Sequence, residues 1–122
     1  MRACYSSGLT QWNVEMEQSV AGALARFAHV VREQFADAVI DIRLFGSHAR
    51  LSAHEDSDVD VAVVLEEAGW KTRRDIIDLA ADIGLAHGLM LSPTVFDRET
   101  YERWRVQDRP LTRDIEREGI RL

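Results

Sequence analysis

The chain is predicted to fold as one small α/β (α+β) domain, a mixed β-sheet of three or more strands flanked by helices. Three observations lead there. A long segment near the start carries apolar residues at helical spacing, while three short stretches rich in valine, isoleucine and leucine are too brief for helices. A helical segment separates the second of these stretches from the third, and two more follow it, so strands and helices interleave. At 122 residues the chain is long enough for one core and too short for a core plus a separate substrate domain, so residues 1–122 are read as a single domain.

The elements follow in order. Over about residues 13–36, Met16, Val20, Leu24, Phe27, Val31 and Phe35 recur at spacings of four and three, an amphipathic helix. AVIDIRLF (38–45) alternates, with Ile40, Ile42 and Leu44 on one face and Asp41, Arg43 and Phe45 on the other, and Gly46 stops it. DVDVAVVL (58–65) is a second strand, and its dense valines predict burial on both faces. Thr72 and Asp75 have the spacing of a capping box for a helix over about 73–86, with Ile76, Ala80 and Ile83 inward. LMLSPTVF (89–96) is a third strand that Pro93 weakens or confines to an edge. Asp97 suits the N-cap of a helix carrying Tyr101 and Trp104. Pro110 suits the first turn of a last helix, and Gly119 its end.

Composition narrows the function. A net charge of -6 argues against strong nucleic-acid binding through phosphate neutralisation. The single cysteine, Cys4, allows no internal disulfide and fits a reducing compartment. The first residues lack the apolar stretch of a signal peptide, and no run approaches the ~20 apolar residues of a membrane span. The expectation is a cytoplasmic protein without membrane contact.

The chemistry concentrates in LFGSHARLSAHEDSDVDVAVV (44–64). Asp58 and Asp60 are two apart on a strand, which puts both carboxylates on one face. Two such acids repel unless a cation neutralises them, and carboxylates without thiolate or imidazole partners suit magnesium or manganese. Upstream, Gly46 and Ser47 follow the first strand, and SHARL can start a short helix. A glycine lets backbone N–H groups approach a phosphate, a helix start favours an anion, and Arg50 adds positive charge one turn on. The pair describes a site for a nucleoside triphosphate and metal. An EF-hand loop would set Asp56, Asp58, Asp60 and Glu67 at its ligand positions, but Val61 stands where that loop needs glycine. A Walker loop lacks its Gly-Lys-Ser/Thr ending. His48 and His54 lack the spacing and third ligand of a zinc site. Trp12, Trp70 and Trp104 read as packing or partner-contact residues.

GSHARLSAHEDSDVD resembles the Gly-Ser, ten-residue gap, Asp-x-Asp motif of minimal nucleotidyltransferases, of the polymerase-beta-like superfamily. LFGSHAR resembles that family's strand-turn-helix opening, and EREGIRL its C-terminal helix. The resemblance implies the nucleotidyltransferase fold, magnesium-dependent transfer of a nucleotidyl group, and ATP as donor. By position, Gly46 and Ser47 would hold the donor's phosphates, with Arg50 beside them, and Asp58 and Asp60 would hold metal. It also implies a protein partner, because many such proteins are antitoxins of HEPN-type partners. Two departures stand out. Leu51 replaces a common glycine, and Ser92 stands where active members commonly carry a third carboxylate on the third strand. Asp97 lies past that strand, and Asp41 could serve only if its face of the first strand turns toward the site.

Three functions are therefore expected in turn: a nucleotidyltransferase acting on a hydroxyl of a partner or small molecule, a catalytically degenerate antitoxin that works by binding, and a plain interaction module. The short chain also implies that the acceptor is carried by another subunit, in a homo-oligomer, or by a partner.

Overall fold

The computed structural model describes residues 11–50, 53 and 58–122, with side chains of the first helix described from Glu17 onward. Cys4, Leu51, His54, Asp56 and the side chains of Trp12 and Met16 lie outside the described residues.

Helix α1 (Gln11–Phe35) forms where the periodicity placed it. Val20, Ala23, Leu24, Phe27, Ala28 and Val31 make its buried stripe. A 3₁₀ turn (Ala36–Ala38) leads into strand β1 (Val39–Phe45). Then come β2 (Val59–Leu65), α2 (Trp70–His87), β3 (Leu91–Asp97), α3 (Arg98–Val106), α4 (Pro110–Glu118) and β4 (Ile120–Arg121). The sheet order is β3-β2-β1-β4. β1 runs antiparallel to both β2 and β4, and β2 runs parallel to β3. A parallel pair needs a crossover, and α2 supplies it.

The two sheet faces have separate coverings. α1 and α2 pack on one, where Phe27, Val31, Ile76, Ala80 and Ile83 meet Ile42, Leu44, Val59, Val61, Val63, Leu65, Leu91 and Val95. Each large side chain fully buried here contributes about 1.5–3 kcal/mol. α3 and α4 cover part of the other face, where Phe45, Ala62, Val64, Phe96 and Ile115 pack with Tyr101, Trp104 and Leu111. Phe96 meets both Tyr101 and Trp104 edge-on, at 5.1 and 5.5 Å between ring centroids. Burial on both faces of β2 holds as the valines predicted, and Asp60 is its one incompletely buried residue.

The caps at 97, 110 and 119 also hold. The Asp97 carboxylate accepts a 2.7 Å bond from the Thr100 N–H, Pro110 opens α4 and Gly119 follows its end. Three expectations are corrected. α2 begins at Trp70 after Gly69, with no side-chain cap, so Thr72 and Asp75 lie inside the helix and Asp75 pairs with Lys71 at 3.2 Å. Ile40 does not join the core. The β1–β2 register slips between Val39 and Asp41, and Ile40, beside the irregularity, is 39% exposed. β2 begins at Val59, leaving Asp58 one residue before the strand. The fourth strand, β4, falls within the three or more expected; it is two residues long and is continued by a bond from the Leu122 N–H to the Ile42 carbonyl.

β3 is an edge strand, as Pro93 required. Its outer rim is blunted twice. Pro93 has no N–H to offer, and Arg73 of α2 donates its guanidinium to the Val95 carbonyl. Among the described residues, no helix is long and apolar enough to cross a membrane.

Candidate active site

The site lies on the sheet face carrying α3 and α4, at the end those helices leave open. Antiparallel pairing sets Asp60 opposite Phe45, and Gly46 follows directly. Parallel pairing sets Asp60 opposite Ser92. Three sequence features are thereby brought together: the Gly-Ser turn, the second acid of the Asp pair, and the serine of the third strand.

Gly46 has φ +79°, a left-handed conformation that an L side chain adopts only with strain. A methyl group there would run into the Asp60 carboxylate, with Asp60 Cγ at 3.3 Å. The close approach expected of a phosphate is thus already made by Asp60. The Arg50 N–H donates to the Gly46 carbonyl at 3.1 Å, closing one helical turn over Ser47, His48 and Ala49. The continuation through Leu51 and Ser52 lies outside the described residues. Gly46→Ala is expected to lower stability by about 1–2 kcal/mol through its dihedral. It should also push the Asp60 carboxylate aside. Melting with and without magnesium-ATP checks both effects, and an unchanged melting temperature together with unchanged nucleotide stabilisation would refute the assigned constraint.

Asp58 is exposed at the mouth, where the Val59 N–H bonds to the Met90 carbonyl at 2.9 Å and ties the starts of β2 and β3 together. Asp60 is half-buried. Burial first, and then the negative charge of Asp58, push its carboxyl above the usual carboxylate range, while His48 and Arg50 pull it back. The two acids are therefore electrostatically coupled, as their spacing suggested. Arg50 is not a free phosphate ligand in this state, because its guanidinium bonds Glu118 at the end of α4 at 3.1 Å. No local signal in the sequence marks Glu118 as part of this neighbourhood, since the contact spans 68 positions.

The donor set fits a hard divalent cation incompletely bound by protein. Among the described residues no group of three or more histidine, cysteine or acidic side chains converges. Two carboxylates and the open face leave coordination positions for phosphate oxygens and water, the usual arrangement for magnesium arriving with a nucleotide.

Asp41 does share the face of Asp60 and so meets the condition set for it, yet it stands opposite Val64. That is four residues along β2 from Asp60, about 13 Å. Its carboxylate is also engaged by Arg43 at 2.7 Å and Arg121 at 3.8 Å. Arg43 reaches on to Glu116 at 3.6 Å, and the Tyr101 hydroxyl donates to Glu116 at 2.6 Å. Burial and the Glu116 carboxylate raise the Tyr101 phenol well above its ordinary range. This network closes the far end of the face. Asp97 pairs with Arg73 at 3.7 Å and caps α3, so it too is away from Asp60.

The nucleotidyltransferase domain model matches residues 24–109. Two proteins of Methanocaldococcus jannaschii, MJ0141 and MJ1305, are named provisionally as protein adenylyltransferases. They are 33% identical over 51% of the chain and 34% identical over 66% of it. The chain spans 64% and 57% of the lengths of these curated relatives. A toxin-antitoxin crystal structure with AMP-PNP superposes with a TM-score of 0.53 at 19% identity, covering 82% of this chain and 69% of that one. A mutant of the toxin-antitoxin MntA-HpeT gives 0.51 at 16% identity, covering 78% and 70%. A Sulfolobus solfataricus protein provisionally assigned as a nucleotidyltransferase gives 0.52 at 16%, covering 94% and 89%. These structural likenesses establish the nucleotidyltransferase fold.

Proposed function

Since the chain belongs to the nucleotidyltransferase domain family, we propose that it transfers the AMP group of ATP to a hydroxyl carried by a partner molecule. The observation that carries this reading is the Gly46 turn set against Asp60, with Asp58 beside it at the open end of the sheet. Gly46 and Ser47 would receive the β- and γ-phosphates, and Arg50 would exchange Glu118 for phosphate. Asp58 and Asp60 would hold magnesium or manganese. Such an ion supplies charge neutralisation at the α-phosphate while the acceptor attacks and pyrophosphate leaves in line. The protein's share is to hold the donor at the edge of an open face.

The acceptor is proposed to be a protein. α3 and α4 already fill the rest of the face, so its hydroxyl must come from outside the domain. The provisional names of the curated relatives support protein adenylylation, and the toxin-antitoxin neighbours support a HEPN-type partner. Ser92 beside Asp60 favours a second reading, a catalytically degenerate antitoxin that binds nucleotide weakly or not at all and neutralises its partner by contact.

Incubation with α-labelled ATP, magnesium and the co-purified partner distinguishes them. Label in a protein band, with pyrophosphate released, is expected. Label from γ-labelled ATP instead would overturn nucleotidyl transfer. No transfer to any molecule would select the contact-only antitoxin.

A further inference from the structure

Helix α2 leaves an apolar stripe in solvent on the side away from the sheet. Trp70 is 75% exposed, Ile77 51% and Leu85 82%. At 100° per residue, Trp70, Arg74, Ile77, Ala81 and Leu85 fall within a sector of about 80°, running about 22 Å along the helix. Lys71, Asp78 and Asp82 line one flank of that sector, and all three are exposed. Arg74, Asp78 and Asp82 make no ion pair with another described residue, whereas Lys71 reaches only Asp75.

The order of these charges matters. The cations Lys71 and Arg74 occupy the first half of the stripe, and the anions Asp78 and Asp82 the second. Such a helix is complementary to itself when inverted. A two-fold axis near Ile77 would set Trp70 against Leu85 of a second copy, Ile77 against Ile77, Lys71 against Asp82 and Arg74 close to Asp78. The centres of the apolar and ionic pairings fall between residues 76 and 77.5, within about 2 Å along the helix, so side chains of this length can meet about one axis. Ala81, small and exposed, lets the helices approach. We infer that the chain forms a homodimer by antiparallel packing of α2 on α2. The opposite face of α2 buries Ile76, Ala80 and Ile83 on the side of the sheet away from Asp60, so both candidate sites stay open in the dimer. This pairing does not depend on the catalytic reading.

Sedimentation velocity of the full chain over a concentration series tests it. The parent protein is expected to dimerise. Ile77→Glu places two carboxylates at the axis and should weaken association at least about tenfold. Leu85→Glu should do the same from the end of the stripe, and covers the case in which Ile77→Glu does not fold. Arg74→Glu should weaken the dimer, and Arg74→Glu with Asp78→Arg should restore it, because reversing the order keeps the complementarity. A monomeric parent at every concentration, a dimer indifferent to both apolar variants, or a reversed pair no better than Arg74→Glu alone would each overturn the proposal.

Discussion

The double variant Asp58→Asn, Asp60→Asn is expected to lose magnesium-dependent ATP binding and transfer while melting at a higher temperature than the parent. The two effects have one origin. Asp60 is half-buried beside Asp58, and burial, followed by that neighbour's charge, pushes its carboxyl above the usual carboxylate range. A raised folded-state pKa means that the protonated form is the better fitted to the fold. The stability it contributes is complete below the unfolded pKa and is lost as pH rises through the folded one. At neutral pH the ionised carboxylate is a liability, which Asn removes. The melting advantage of the variant should therefore be largest at neutral pH and shrink as the solution is acidified through the Asp60 titration. Magnesium-ATP should stabilise the parent and leave the variant unmoved. Transfer should fall by at least about a hundredfold, in keeping with the several kcal/mol that metal stabilisation of a transition state supplies. A variant still stabilised by magnesium-ATP would place the site elsewhere.

Ser92→Asp is expected to raise the transfer rate by about 10²-fold. Register pairing sets residue 92 directly beside Asp60, and neighbouring strands lie about 4.8 Å apart. A carboxylate there would be close to an acceptor hydroxyl approaching the open face, whereas serine is too weak a base to take its proton at neutral pH. General-base assistance contributes about 10²–10⁴-fold. Asp41, the other acid on this face, cannot substitute, because Arg43 and Arg121 hold it at the closed end. A third acid beside Asp60 adds repulsion, so the metal-free variant should also melt lower than the parent. Ser92→Asn controls for size and should change neither quantity in that direction. A fast parent enzyme unaffected by Ser92→Asp would show that transfer needs no base at this position.

The sequence made the fold legible wherever one short pattern decided an element. Asp97 caps α3 through a bond to Thr100 three residues on, Pro110 fits the first turn of α4 by its fixed backbone angle, and the valines of β2 report burial on both faces without reference to distant residues. α2 was misjudged at its start because Thr72 and Asp75 have capping-box spacing in any context. The helix instead extends one turn earlier from Gly69, and the Lys71–Asp75 pair occupies the presumed capping acid. β4 could not be seen, since two residues hold no alternation. In the candidate site, the Gly46–Asp60 contact and the Asp60–Ser92 pairing depend on register, which spacing alone does not set. The engagement of Arg50 by Glu118 depends on where α4 ends. Residue types and spacing therefore pointed to the site, and the tertiary neighbours decided what each residue touches.

The central position of β2 has a consequence for the chain before it folds. VDVAVVL is sheltered between β1 and β3 and covered on both sides once the domain is complete. On the ribosome or after unfolding it has no such shelter, and a valine-rich segment of this length readily stacks into cross-β aggregates. Asp58 and Asp60 then act as gatekeepers, as do Glu66 and Glu67 at its other end, because charges at and within such a segment repel its copies. The Asp60 carboxylate, which weakens the finished fold, thus helps keep its most aggregation-prone strand soluble while the fold is being made.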